Sequence, residues 1–340
     1  MSSLKTVQLK SPYLIFTGEE TSPTYAKTGA GIAYWREKDC LGQMRLPGGT
    51  VEIGLPKMDI PEAAAQGAKT LVIGTSVVGG AIPESWITVL VEALESGMDI
   101  AAGVHTKLND NQKLVEVANK TGQKLIDVRT PPSDIPVGNG KKRTGKRLLT
   151  VGTDCALGKK YTALAIDKAL TNKGVNSTFR ATGQTGILIS GSGMPIDAVV
   201  ADFISGAAEV LSPDNEADHW DIIEGQGSLH HPGYAAVSMG LLMGSQPDVF
   251  VVCTELGREK IKGWPDFDLP TIQEVIDRTT DVGKRTNPNI RCIGISVNSS
   301  NFDETEALAQ MAELEKNYGL PVVDPIRFGV EKLVEVIVES

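Results

Sequence analysis

Residues Leu148 to Ala165 read LLTVGTDCALGKKYTALA, an apolar run, a glycine-bearing loop and a segment of helical period that opens on Gly158-Lys159. A strand that turns through such a loop into a helix is the building step of an α/β layer structure, in which helices cover a parallel sheet. The spacing is G-x5-G-K, one residue longer than the common phosphate loop G-x4-G-K-[ST]. Backbone N–H groups from Gly152 through Lys160 can wrap an anion there. The helix N-terminus adds partial positive charge and Lys159 a full one. Gly152, Thr153, Asp154, Cys155, Ala156, Leu157, Gly158, Lys159, Lys160 and Tyr161 are therefore expected to hold a phosphate-bearing cofactor.

The residue after Gly-Lys departs from the usual pattern. In nucleotide hydrolases a Ser or Thr hydroxyl at that position ligates Mg²⁺, whereas Lys160 cannot ligate a cation while protonated. Thr162 carries a hydroxyl but stands two residues further along the helix. No metal is expected, and two lysines suit a phosphate ligand that is gripped and released intact. Coenzyme A, with a pyrophosphate and a 3′-phosphate, is one such ligand.

The same alternation of short aliphatic runs and helical segments continues through the whole chain, so the fold class is α/β. In the first half strands are expected at Tyr13–Phe16, Thr70–Gly74, Asp99–Val104 and Lys124–Val128, with helices at Ser22–Trp35, Pro61–Gly67, Pro83–Ser96 and Asp110–Thr121. Thr130 to Lys146 (TPPSDIPVGNGKKRTGK) packs Pro, Gly and charge without periodicity, as a linker does. This divides the 340 residues into domains 1–140 and 141–340, in keeping with about 150 residues per domain. In the second domain the expected strands are Arg147–Val151, Ser177–Arg180, Asp221–Ile223, Val249–Cys253 and Cys292–Val297. The helices are Lys159–Asn172, Pro195–Glu209, Gly233–Met243, Thr271–Val282, Asp303–Tyr318 and Gly329–Val338.

Two further segments follow strands and so should face the crevice at the strands' carboxyl ends. FRATGQTGILISGSG (Phe179 to Gly193) reads as a polar, glycine-rich loop and brings Arg180, Thr182, Gln184 and Thr185, with Arg180 suited to a carboxylate. DIIEGQGSLHHPGY (Asp221 to Tyr234) brings Glu224, Gln226, His230 and His231. Glu224 and the histidines are candidates for proton transfer, although adjacent histidines cannot easily face one small site. Cys155 lies in the phosphate loop, where the helix dipole and Lys159 would favour a thiolate; otherwise it is a small residue that fits the loop.

The charge balance, 33 Lys+Arg against 42 Asp+Glu with a net charge of −9, argues against nucleic acid or an anionic membrane as partner. Four scattered cysteines without metal-ligand spacing, and an N-terminal region whose apolar run Tyr13 to Phe16 is too short for a signal peptide, lead to the expectation of a cytoplasmic protein.

VGTDCALGKK, RATGQTGILISGSG, PIDAVVADFISGAAE and IIEGQGSLHHPGY together resemble the D-glutamate N-acetyltransferase family. The resemblance implies an N-terminal Rossmann-like open sheet and a C-terminal P-loop domain with a parallel sheet. It also implies acetyl transfer from acetyl-CoA to the amine of D-glutamate in D-amino-acid catabolism, and points to a homo-oligomer. On that reading Glu224, His230 or Asp154 would serve as the base. Arg180, Gln184, Thr185 and Gln226 would bind substrate, with Arg258 or Lys260 as a second carboxylate clamp. GTDxxxGK and the later EGxG also resemble dethiobiotin synthetase, which supplies the rival expectation of an ATP- and Mg²⁺-dependent ligase. A non-catalytic nucleotide-binding module is the third.

Overall fold

A computed structural model describes residues 6–23, 25–75, 82–104 and 106–339. The chain forms two compact units, one of residues 1–132 with 183–198, the other of residues 133–182 with 199–340. Each has its own parallel sheet.

In chain order the elements begin with β1 (Val7–Gln8), β2 (Tyr13–Phe16), α1 (Lys27–Trp35), β3 (Cys40–Met44), α2 (Ile60–Ala65), β4 (Thr70–Ile73), α3 (Glu84–Glu95), β5 (Asp99–Ala102), α4 (Gln112–Thr121) and β6 (Leu125–Asp127). The first sheet has the order β3-β2-β4-β5-β6, parallel throughout. β2, β4 and β5 are buried at every position because helices cover both faces, which is why they read as unbroken apolar runs. Phe16 meets Trp86 edge to face at 5.0 Å in the core beneath α3. The expected helix 22–35 starts only at Lys27; Thr24 lies outside the described residues. β3 was not anticipated, because CLGQM has neither β-branching nor alternation, and its pairing with β2 decides it.

The second unit starts with β7 (Lys146–Gly152), α5 (Lys159–Asn172) and β8 (Ser177–Arg180). The chain then enters the first unit as α6 (Gln184–Ser190) and β9 (Ser192–Gly193), the latter antiparallel to β1. α6 corrects the expected loop: Ile187, Leu188 and Ile189 are buried, and Gly191 closes the helix with φ +76°. Its glycines suggested a loop, and burial of those three apolar side chains overrides them. The expected helix 195–209 is also corrected, to short 3₁₀ turns at Ile196–Ala198 and Ala201–Phe203 followed by α7 (Ile204–Leu211), since the chain changes units between Ala198 and Val199.

The remaining elements are β10 (Trp220–Ile223), α8 (Ala235–Ser245), β11 (Val249–Glu255), β12 (Lys260–Ile261), β13 (Trp264–Asp268), α9 (Ile272–Gly283), β14 (Arg291–Asn298), α10 (Glu304–Tyr318), β15 (Val322–Val323) and α11 (Glu331–Val338). The sheet order is β15-β14-β11-β7-β10-β8, all parallel, with β12 and β13 as a separate hairpin. Local signals set the helix ends. Thr271 and Glu274 form a reciprocal capping box on α9, Asp303 caps α10, and Gly319 ends α10 in the left-handed region. No helix among the described residues is long and apolar enough to cross a membrane.

Candidate functional site

β7 lies mid-sheet between β10 and β11, so the loop that follows it opens at the strands' carboxyl ends, where α/β sheets take their ligands. β7 ends at Gly152, and the loop reaches α5 through Gly158, which caps the helix at φ +112°. Ala156 also takes a left-handed conformation, φ +55°, rare for a residue with a Cβ and typical of a loop shaped for a ligand.

Lys159 is 5% exposed, and its ammonium donates to the Asp154 carbonyl at 2.7 Å inside the loop. Burial pulls its pKa below 10.5, against the opposing pull of Cys253, Cys155, Asp154 and Glu224. Lys160 is lowered in the same way with Glu224 opposing, and its ammonium rests 4.4 Å over the Tyr161 ring. Two partly desolvated ammonium groups at the N-terminus of α5 suit an anion. Thr162 is no metal ligand here. Its hydroxyl is buried against the Gly158 carbonyl and the Ser296 hydroxyl, 3.2 and 2.8 Å away.

Glu224 follows β10 and is 5% exposed. Its Oε2 accepts from the Thr182 N–H at 2.9 Å, and its carbonyl accepts from the Thr182 hydroxyl at 2.7 Å. Gln226 Nε2 donates to that hydroxyl at 2.8 Å, so the segments after β8 and β10 are tied together. The next residue must be glycine: a Cβ on Gly225 would fall 1.6 Å from the Thr150 carbonyl oxygen. That close approach seats the Glu224–Gly225 turn against β7 and the stem of Lys159.

Asp154 is fully buried and organises the loop. Oδ1 accepts from the Cys155 N–H at 2.6 Å, while Oδ2 accepts from Arg258 Nη1 at 3.0 Å and from the Lys262 N–H at 2.8 Å. His231 Nε2 lies 3.7 Å from Oδ1. With its oxygens so engaged, Asp154 is suited to hold the loop rather than to collect a proton. Arg258 is held by Asp154, the Cys155 carbonyl and Glu255, and Lys260 pairs with Asp268 on the hairpin.

Of the two histidines, His231 is the one brought to the loop. His230 faces α9, where Arg278 and Glu274 act on it, and burial lowers its pKa. His231 Nδ1 accepts from the Gly233 N–H at 3.0 Å, which leaves the proton on Nε2, facing Asp154. Asp154, Cys155 and His231 have ligand atoms within 4.8 Å of one another. A metal ion would need the Nε2 lone pair, however, and would meet the Arg258 guanidinium, 3.0 Å from the same Asp154 carboxylate, so the arrangement suits a cation poorly. Of the two readings of Cys155, burial favours the small loop residue over the thiolate, since it raises the thiol's pKa from 9.0 and the lowering by Lys159 is the smaller effect.

Arg180 Nε donates to Asp221 Oδ1 at 2.7 Å, and Asp221 is level with Arg147 at the start of β7, so the guanidinium is drawn toward the amino end of the strands rather than toward the loop after Gly152. Gln184 and Thr185 open α6 in the first unit. There Gln184 Oε1 accepts from Arg129 at 3.0 Å, and the Thr185 hydroxyl lies 3.4 Å from that of Thr28. Asp197, also in the first unit, pairs with Arg129 at 2.9 Å. The parts unforeseen in sequence are the setting of His231 and Trp264, whose rings meet at 4.7 Å, because the hairpin that brings them together leaves no periodic signal.

Residues 136–334 match the P-loop domain of the DUF1611 family, and residues 45–131 match its Rossmann-like domain. The chain belongs to the DUF1611 family. The Rossmann-like and P-loop halves expected from the sequence are thus both present. A D-glutamate N-acetyltransferase from Tritonibacter scottomollicae is 49% identical over 97% of this chain and 99% of its own length. A second protein of that name, from a Pseudoalteromonas species, is 47% identical over 96% and 99%. The crystal structure of a DUF1611 family protein from Anabaena variabilis is similar with a TM-score of 0.82 at 31% identity, covering 97% of this chain and all of the other. The four motifs that carried the resemblance therefore led to the right family. In this DUF1611 chain the phosphate loop and the segments that begin at Thr182 and Glu224 meet in the second unit, whereas residues 183–198 belong to the first.

Proposed function

We propose that the chain is an N-acetyltransferase that moves the acetyl group of acetyl-CoA to the amine of D-glutamate. The observation that carries this reading is the name borne by two relatives 49% and 47% identical over nearly their full length. The loop chemistry supports it: Lys160 replaces the metal-binding hydroxyl, and buried Lys159 with half-buried Lys160 suits the phosphates of coenzyme A.

The residues fit the steps of such a transfer. D-Glutamate carries an ammonium at neutral pH and must lose a proton before its nitrogen can add to the thioester carbonyl. Glu224, beside the loop and held by Thr182, is the base. The nitrogen lone pair forms the new C–N bond, the nitrogen gives up a second proton as the C–S bond breaks, and the thiolate takes up a proton as coenzyme A, one proton being released overall. Gln226 assists from the neighbouring segment. Cys155, held as a thiol by burial, is a loop residue, and transfer is direct.

The test is free-thiol release from acetyl-CoA with D-glutamate, L-glutamate or no amino acid, without ATP or added metal. Release that depends on D-glutamate is the expected result. No release with any amino acid, together with Mg²⁺-dependent ATP hydrolysis, would overturn the reading in favour of a ligase resembling dethiobiotin synthetase.

A further inference from the structure

Beside the phosphate loop stands an aromatic cluster that the transfer chemistry does not use. Tyr234 precedes α8 and is 49% exposed, and Trp264 is half-buried on β13. Both rings rest on His231: Tyr234 stacks on the imidazole at 4.6 Å and 30°, while Trp264 meets it edge-on at 4.7 Å. The two rings meet each other at 5.7 Å and 79°. The imidazole in turn points Nε2 at Asp154 of the loop, 3.7 Å away. An aromatic surface is thus fixed one imidazole's width from the loop. With His231 stacked on Tyr234 and Trp264 meeting it at 79°, the tyrosine still leaves about half its surface exposed.

We propose that Tyr234, backed by His231 and Trp264, is the platform on which the adenine of coenzyme A stacks while its phosphates occupy the loop. The inference rests on the reading of that loop as a coenzyme A site. A ligand whose phosphates sit on the loop carries its purine on a short tether, so the base must find a surface close by. Every purine has a π-face, and a half-exposed tyrosine offers a matching one without needing hydrogen-bond partners. Its ring is already immobilised by His231 and Trp264, so stacking loses little side-chain freedom. Gly233 adds to this setting: a Cβ there would touch the Trp264 ring at 3.4 Å, and its N–H fixes the His231 tautomer.

The experiment is calorimetric binding of acetyl-CoA, adenosine 3′,5′-bisphosphate and acetyl-pantetheine to the full chain and to Tyr234→Ala and Tyr234→Phe. Tyr234→Ala should weaken the bisphosphate and acetyl-CoA by about fivefold to a hundredfold, the range that base–aromatic stacking gives. Tyr234→Phe should restore both, and acetyl-pantetheine, which lacks the base, should be indifferent to either change. Binding of acetyl-CoA to Tyr234→Ala within twofold of the unaltered protein would overturn the platform and leave the transferase reading standing. Failure of the unaltered protein to bind acetyl-CoA at all would overturn both.

Discussion

Lys159 tests the loop most simply. Its ammonium sits on the Asp154 carbonyl within the loop, and in the proposed enzyme it meets a cofactor phosphate. Lys159→Ala should raise the KM for acetyl-CoA by tenfold or more, since a charge-assisted hydrogen bond contributes about 1.5–3 kcal/mol; steady-state kinetics at varied acetyl-CoA would show it, and an unchanged KM would remove the assigned role. The pH dependence follows from the same burial. Lys159 and Lys160 both have pKa values below 10.5 without ligand, and a bound phosphate pulls them back up. Binding should therefore take up protons between the depressed values and 10.5, and affinity should fall as pH rises through that window. Calorimetry in buffers of different ionisation heat measures that uptake. Cys155 offers an independent check, since burial raises its pKa above 9.0. Its alkylation should lag that of a free thiol at neutral pH, and Cys155→Ala should keep its activity; rapid labelling together with an inactive variant would point instead to transfer through an acetyl group on Cys155. At this scale the phosphate-loop residues were legible because loop chemistry is local. The settings of His231 and Arg258 were not, because Asp154 gathers both across more than seventy residues of chain.

Among the elements, the join of β10 to β7 is the tightest near the site. Gly225→Ala would drive a Cβ to 1.6 Å from the Thr150 carbonyl oxygen and displace the turn that holds Glu224. We expect a loss of about 1–3 kcal/mol or more and a fall in kcat well beyond what the stability change explains, read by urea denaturation alongside single-turnover rates. Arg147 at the start of β7 plays a structural part of another kind. Fully buried, its guanidinium donates to the carbonyls of Arg143, Thr144, Gly145, Ser212 and Pro213. Arg147→Ala should cost about 3–5 kcal/mol and lower the denaturant midpoint, and Arg147→Lys should not rescue it, because one ammonium cannot span five acceptors. Strands such as Tyr13–Phe16 and Thr70–Ile73 were legible because unbroken runs of apolar and β-branched residues mark buried parallel strands. β3 and α6 were not, since pairing and burial rather than propensity decide them.

At the scale of the molecule, the sequence predicted the α/β class and two sheets, because alternation persists through the whole chain. It carried no sign that residues 183–198 leave the second unit for the first, since the glycines there read as an ordinary loop after β8. The account as a whole turns on one claim: the loop after β7 holds coenzyme A without a metal. The most direct measurement compares equilibrium binding of acetyl-CoA in the presence of a chelator with binding of ATP and Mg²⁺, for the unaltered chain and for Lys160→Ala. The account predicts that acetyl-CoA binds with the chelator present, that Lys160→Ala weakens it, and that ATP with Mg²⁺ competes poorly. Tight Mg²⁺-dependent binding of ATP, with acetyl-CoA unable to displace it, would contradict it.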